Sequence, residues 1–129
     1  MPPAQTTPGS IDVDRLEAAW RTPSGLAALT AVNHRTVGKR YLLTGFGFFL
    51  LAGLLALSML VQLSRAGMSF LSAELYNQFF TMHGTTMMFL FAVPIVEAFG
   101  IYLVPLMIGT RDMAFPRLSA FGYYVYLIG

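Results

Sequence analysis

Residues 41–63 read YLLTGFGFFLLAGLLALSMLVQL, a run of 23 residues without a charged side chain. At ~1.5 Å of rise per residue, a helix of this length reaches ~34 Å, enough to cross a bilayer with some tilt. Over the whole chain of 129 residues, 56% are hydrophobic and 11% are charged. An average soluble domain has roughly 25% charged residues. The mean hydropathy of +0.63 likewise indicates a more apolar chain than a soluble domain. The composition therefore predicts an integral membrane protein and disfavours a soluble core.

Two further apolar runs follow the first. The second lies between Glu74 and Arg111 and contains Glu97 as its only acidic residue. The third runs from near Leu118 to Gly129 and is too short to span, because a crossing helix needs about 20 residues. We predict an all-α membrane fold with two complete transmembrane helices and the start of a third. We expect the chain to be a piece of a longer polypeptide and these helices to belong to a larger bundle.

The first 40 residues differ from the rest. Residues 1–9 contain Pro and Thr and are expected to be disordered. Ser10 is a candidate cap for a short helix through Trp20, which either lies on the membrane surface or docks on a partner. We divide the chain into an N-terminal segment, residues 1–40, and a transmembrane part, residues 41–129. No apolar segment typical of a cleavable signal peptide occurs near the N-terminus.

Charged residues predict the topology. Five basic residues precede the first span, Arg65 alone lies in the first connection, and Arg111 and Arg117 follow the second span. The positive-inside rule therefore places the N-terminus and the loop after the second span on the cytoplasmic side. The basic residues are explained as topology markers, so no nucleic-acid partner is predicted. The chain has no cysteine, which excludes disulfides and thiolate metal sites within it.

His83 stands out chemically. An ionisable side chain in a long apolar stretch is costly in lipid and needs a polar partner, a water-filled cavity or a metal. Imidazole is a usual axial ligand of haem iron, whereas a histidine hydrogen-bonded to a neighbouring helix is the alternative. Low-spin haem needs two axial ligands. His34 is predicted on the opposite side of the membrane from His83, so we expect the second ligand to come from elsewhere.

The spacing of the second span suggests one functional face. At about 100° per residue, His83, Met87, Leu90, Pro94 and Glu97 share a helical face, unless Pro94 kinks the helix. Glu97 would then lie ~21 Å from His83 along the axis.

Small residues also recur in the first span. Gly45, Ala52 and Ala56 lie at helical spacing, which favours close helix packing over space for a flat cofactor.

Several stretches, in order and at matching spacing, resemble subunit I of the haem-copper terminal oxidases. Residues 76–85 read YNQFFTMHGT, residues 103–109 read LVPLMIG, and residues 112–118 read DMAFPRL. Residues 33–42, NHRTVGKRYL, resemble the lead-in to the first span of that family. The resemblance covers about residues 33–126 and is closest to the cytochrome c oxidase branch.

The resemblance implies that His83 is an axial ligand of the low-spin haem. Gly84, which lacks a side chain beside the ligand, and Met87 are candidate haem-packing residues, although most methionines fill cores. A neutral imidazole that binds iron needs an acceptor for its other ring nitrogen. Thr85 or a backbone carbonyl is the candidate acceptor.

The resemblance also implies a proton-uptake role for Asp112, at the entrance of a channel from the inner side. A solvated loop carboxylate paired with Arg111 or Arg117 is the alternative. We hypothesise that Glu97, the only carboxylate inside either span, supplies a polar group to this path.

The chain departs from the family pattern at several positions. Leu60 stands where many members have a haem-contacting arginine, Ile101 replaces a channel-lining asparagine, and Ser119 and Ala120 replace two more asparagines.

As implied by the resemblance, the whole enzyme carries electrons from cytochrome c through the low-spin haem to a high-spin haem and copper. There it reduces dioxygen to water and translocates protons. No histidine follows His83, so no catalytic residue is assigned to this portion. Expected partners are the remaining helices of subunit I, other oxidase subunits, cytochrome c and the lipid of a bacterial cell membrane or mitochondrial inner membrane. A quinol oxidase subunit I, or a non-enzymatic two-span membrane subunit or assembly protein, is the alternative.

Overall fold

The structure, a computed structural model, describes residues 13–21 and 24–129, and this part of the chain is helical without strands. The chain divides into two units, with the boundary between Thr30 and Ala31. In the first unit, α1 is Val13–Trp20 and a 3-10 turn covers Gly25–Ala28. The short helix before the first span is thus present. Its predicted cap, Ser10, and the segment 1–9 lie outside the described residues.

The first span, α2, is His34–Leu63, a helix of 30 residues. It begins seven residues before the charge-free run, because polar groups outside that run satisfy its first N–H groups. The side chain of Asn33 caps the helix and accepts a hydrogen bond from the Arg35 N–H at 2.9 Å. The predicted span is confirmed, and its basic lead-in belongs to the same helix.

The second span is a continuous run of 35 helical residues, Ala73–Met107. It consists of α3, Ala73–Thr85; a π-helical segment, Thr86–Ala92, called here the π segment; and α4, Val93–Met107. Ser72 caps α3 by accepting the Leu75 N–H at 3.2 Å. Both spans are long and apolar enough to cross a membrane, which confirms the prediction of two transmembrane helices.

The third helix, α5, is Pro116–Ile128 and has 13 residues. At ~1.5 Å per residue it is ~20 Å long, too short to cross the hydrocarbon core. It corresponds to the predicted start of a third crossing. Proline at its first position is favoured there, because the missing N–H would be unsatisfied anyway.

The buried core lies where α2, α4 and α5 meet. Each helix contributes two side chains to it, namely Val37 and Tyr41, Ala98 and Ile101, and Ala120 and Tyr123. Glycines bring α2 close to α4: Gly38 faces Tyr102 and Gly45 faces Ile95. Ala52 is fully buried as well. The small residues Gly45 and Ala52 therefore serve helix packing, as their spacing predicted.

Aromatic rings join α2 to α5. Tyr41 stacks on Tyr126, with ring centroids 5.4 Å apart and planes at 16°, and meets Tyr123 edge-on at 5.2 Å. The Tyr123 hydroxyl lies 2.9 Å from the hydroxyl of Thr44. The Arg40 guanidinium sits 5.8 Å from the centroid of the Tyr123 ring. This group is called here the tyrosine cluster.

Gln62 makes two hydrogen bonds to the connection between the two spans. The Gln62 amide donates to the Met68 carbonyl at 2.5 Å, and its oxygen accepts the Leu71 N–H at 2.7 Å. Gly67 takes a φ of +76°, a left-handed conformation that favours glycine.

Candidate functional site

The His83 imidazole is bound by the backbone of the first span. Its Nδ1 lies 2.9 Å from the carbonyl oxygen of Ala52 on α2. A carbonyl oxygen can only accept, so Nδ1 carries the hydrogen and donates it. In the neutral ring, Nε2 then keeps a free lone pair. The imidazole is therefore held in the tautomer that can bind a metal through Nε2.

The structure selects between the two acceptors considered from the sequence. The acceptor is the backbone carbonyl of Ala52, whereas the Thr85 hydroxyl donates to the carbonyl of Thr81 at 2.8 Å. Ala52 is fully buried, and its small side chain lets the second span approach the backbone of α2. A second-shell acceptor of this kind fixes both the tautomer and the ring orientation of a metal-binding histidine.

Gly84, beside His83, is exposed on α3, and a Cβ added there would meet nothing within 4 Å apart from its chain neighbours and its own helix backbone. The His83 and Met87 side chains are each partly buried. Across the described part of the chain, no three His, Cys, Asp or Glu side chains converge on a metal position. Haem iron takes four ligands from its macrocycle, so a single imidazole with a free Nε2 fits one axial position of haem.

The π segment corrects one prediction. The 100° spacing that placed five residues from His83 to Glu97 on one face assumes an unbroken α-helix, and the π segment occupies seven residues of that stretch. π-Helical residues turn by less than α-helical ones, so the single regular face is wrong here. Pro94 is buried, whereas Glu97 is exposed. π-Helices are rare and occur often at functional sites.

Asp112 lies in the loop between α4 and α5 and binds the start of the first span. Its Oδ1 accepts the backbone N–H of His34 at 3.0 Å and that of Met113 at 2.9 Å. The same oxygen is 3.3 Å from Nδ1 of His34, an ion-pair distance without the angle of a hydrogen bond. The His34 side chain is 4% exposed and that of Asp112 is 30% exposed. Asp112 thus places a carboxylate at the N-terminus of α2, where the helix dipole favours negative charge.

The sequence did not reveal His34 as the partner of Asp112. The two residues are 78 positions apart, and nothing in their local patterns links them. The contacts above join Asp112 to α2 and to its own loop, and the pairing with Arg111 or Arg117 considered from the sequence stays a prediction.

Glu97 lines a cavity of about 550 Å³ between α2, α4 and α5. Its other polar lining residues are Tyr41 and Ser119, and Ile101 also lines it. The cavity reaches Met113, the residue that follows Asp112. The structure therefore brings Glu97 and the Asp112 loop to one cavity, and the residue that replaces the family's channel asparagine faces the same space.

The other positions that depart from the family pattern lie at the surface or in the helix core. Leu60 is exposed on α2, Ala120 is buried in the core, and the Ser119 hydroxyl donates to the Phe115 carbonyl at 3.4 Å. None of these side chains offers a charge toward His83.

Two long apolar spans, a third helix packed on them and a histidine with a free Nε2 define a helical membrane protein with a candidate axial ligand. Residues 36–129 match the family described as "Cytochrome C and Quinol oxidase polypeptide I". The chain belongs to this family of oxidase subunits and is an integral membrane protein.

Three relatives illustrate the similarity. The chain is 48% identical over 101 residues to the probable cytochrome c oxidase subunit 1-alpha of Streptomyces avermitilis, covering 78% of the chain. It is 46% identical over 130 residues to the probable cytochrome c oxidase subunit 1-beta of Nocardia farcinica, covering 98% of the chain. It is 52% identical over 95 residues to the cytochrome c oxidase subunit 1 of Thermostichus vulcanus, covering 73% of the chain. The alignments cover 17%, 22% and 17% of these relatives, so the chain spans about a fifth of their length.

Proposed function

We propose that this chain is the N-terminal portion of subunit I of a respiratory cytochrome c oxidase, in which His83 supplies one axial ligand of the low-spin haem. The observation that carries the proposal is the hydrogen bond from Nδ1 of His83 to the Ala52 carbonyl. It leaves Nε2 available and holds the ring against rotation. The N-terminus lies on the cytoplasmic side, and the high-spin haem and copper bind to later helices of the subunit.

The residues of this chain would hold the haem rather than carry out the reduction of dioxygen. His83 would bind the iron, the Ala52 carbonyl would orient the imidazole, and Gly84 would place no side chain beside the ligand. Met87 would pack nearby. When bound, the haem supplies one-electron transfer between the electron donor and the dioxygen-reducing centre.

Asp112 and Glu97 are proposed to serve proton uptake. Asp112 is a partly exposed carboxylate that binds the N-terminus of α2, so water can reach it. The cavity that reaches the Asp112 loop at Met113 is lined by Tyr41, Ser119 and Glu97. Groups that can both donate and accept hydrogen bonds can pass a proton along with intervening water. Glu97 would thus supply polarity where Ile101 replaces the family's asparagine.

The haem assignment is tested by His83→Ala in the intact oxidase. We expect the low-spin absorption band in the reduced-minus-oxidised spectrum to be lost, because His83 is the only histidine in the sequence of the second span and its removal takes away the imidazole ligand. His34→Ala is the matched control, since it removes the chain's other histidine and should leave the band in place. A low-spin band retained in His83→Ala would show that the assignment is wrong.

The proton path and the electron donor need separate measurements. Asp112→Asn and Glu97→Gln are each expected to slow proton uptake by the reduced oxidase while leaving the low-spin band unchanged. Normal uptake in Glu97→Gln would remove Glu97 from the path. Turnover with reduced cytochrome c, compared with turnover with a quinol, identifies the donor; the proposal requires cytochrome c to be the faster one.

A further inference from the structure

Tyr126 makes a hydrogen bond that ties the third helix to the π segment. Its hydroxyl donates to the backbone carbonyl of Leu90 at 2.7 Å. In an α-helix that carbonyl would accept the N–H of residue 94, four positions later. Residue 94 is proline, which has no N–H. The hydroxyl of a neighbouring helix thus binds a carbonyl whose α-helical donor position is occupied by proline.

Packing aims the Tyr126 hydroxyl at this carbonyl. Its ring stacks on Tyr41 at 5.4 Å and meets Phe48 edge-on at 6.2 Å. Tyr41 and Phe48 are seven positions apart on α2 and so lie on the same helical face. The phenol is held between them and α5, and the bond to Leu90 has a fixed direction rather than that of a mobile surface group.

The π segment lies between the two parts of the second span that carry the proposed site residues. His83 precedes it and is bound to α2 through Ala52. Glu97 follows it and lines the cavity with Tyr41 and Ser119. A change from π to α geometry would rotate Glu97 relative to His83, because the two helix types turn by different angles per residue.

We propose that Tyr126 is a positioning residue, whose hydroxyl holds the π segment and thereby keeps Glu97 turned toward the cavity beside Asp112. This inference rests on the proposed role of Glu97 in proton uptake. It assigns to α5 a function beyond helix packing, because removal of one hydroxyl should alter a group on a different helix.

The first test is Tyr126→Phe in the intact oxidase, with Tyr123→Phe as the matched control. Each substitution removes one phenolic hydroxyl from α5, but that of Tyr123 faces Thr44 rather than the π segment. Hydrogen–deuterium exchange of the amides of residues 86–95 is expected to rise about five- to tenfold in Tyr126→Phe, the factor for one lost hydrogen bond. It should not change in the control. Unchanged exchange in Tyr126→Phe would overturn the inference. The exchange measurement depends on neither bound haem nor turnover.

The second test asks whether Tyr126 acts through Glu97. Proton uptake should slow in Tyr126→Phe, with the low-spin band retained, and should slow no further when the substitution is made in Glu97→Gln. Additive slowing would mean that the hydroxyl acts elsewhere, and normal uptake in Tyr126→Phe would likewise overturn the proposal. If Glu97→Gln alone takes up protons normally, the proposed role of Glu97 fails, while the exchange experiment still reports on the π segment.

Pro94→Ala tests whether the Tyr126 hydroxyl positions Glu97 or only provides a hydrogen bond to the Leu90 carbonyl. It restores an N–H that can donate to Leu90 and favours α geometry. Combined with Tyr126→Phe, it should return amide exchange to the wild-type rate but leave proton uptake slow. Recovery of both properties would show that the hydroxyl only satisfies the carbonyl, which contradicts a positioning role.

Discussion

The contact between α2 and α4 at Gly38 gives a sharp test of the fold. A Cβ added at Gly38 would lie 3.0 Å from Cβ of Tyr102, 3.3 Å from its Cδ2 and 3.4 Å from the Ala98 carbonyl oxygen. The nearest of these atoms is fixed by the α4 backbone and cannot move away by a rotamer change. Overpacking of this kind costs about 1–3 kcal/mol. Alanine regains about 0.5–1 kcal/mol over glycine in a helix. Taken at the middle of these ranges, Gly38→Ala should therefore destabilise the protein by about 1 kcal/mol.

Gly45→Ala is the matched control on the same helix. Its added Cβ would meet Cδ1 and Cγ1 of Ile95, at 3.2 and 3.4 Å. These atoms belong to a side chain that can change rotamer at a modest cost, which the helix gain offsets. We expect a change within about 0.5 kcal/mol. The free energy of unfolding in mixed detergent and SDS micelles measures both variants. Equal losses at the two sites, or no loss at Gly38, would refute the packing described for α2 and α4.

Three further predictions concern polar contacts. Asp112→Ala should lower the free energy of unfolding by about 1 kcal/mol through loss of the cap on the His34 N–H, whereas Asp112→Asn, which keeps an acceptor, should cost less in the same unfolding assay. Gln62→Leu should speed proteolytic cleavage of the connection at residues 64–72, because the two hydrogen bonds that Gln62 makes to this connection are lost; an unchanged cleavage rate would contradict that role. A double-mutant cycle of Thr44→Val and Tyr123→Phe should give a coupling energy of about 0.6 kcal/mol, and a value near zero would mean that the two hydroxyls do not interact.

Hydropathy predicted the spans because membrane insertion depends on long apolar runs, and such runs can be recognised in a single sequence. The two long helices and the short third one follow the apolar stretches closely; α2 begins seven residues before its run, and α3 and α5 begin within two residues of theirs. His83 was found for the same reason. An ionisable side chain among apolar residues needs a partner, so the residue type alone marks the position.

The partners of these residues could not be predicted in the same way. The acceptor of the His83 ring is the carbonyl of Ala52, and every residue has a carbonyl, so no side-chain pattern identifies it. The π segment covers only seven residues, too few to change an apolar run into a recognisable period. Its one local signal is Pro94, which has no N–H. The sequence does not show whether a kink, a π turn or a neighbouring helix compensates for the missing hydrogen bond.

The length of α2 orders the proposed proton groups relative to the membrane. The helix has 30 residues, ~45 Å at ~1.5 Å each, and the hydrocarbon core is about 30 Å thick, so one or both ends extend beyond it. The tyrosine cluster, with Arg40 over the Tyr123 ring, has the composition of an interfacial aromatic belt. Asp112 binds His34, seven residues and therefore ~10 Å further out, whereas Glu97 shares a cavity with Tyr41 of the belt itself. On the proposed uptake path, a proton arriving from water at this end of α2 would therefore meet Asp112 first and Glu97 afterwards, at the level of the belt.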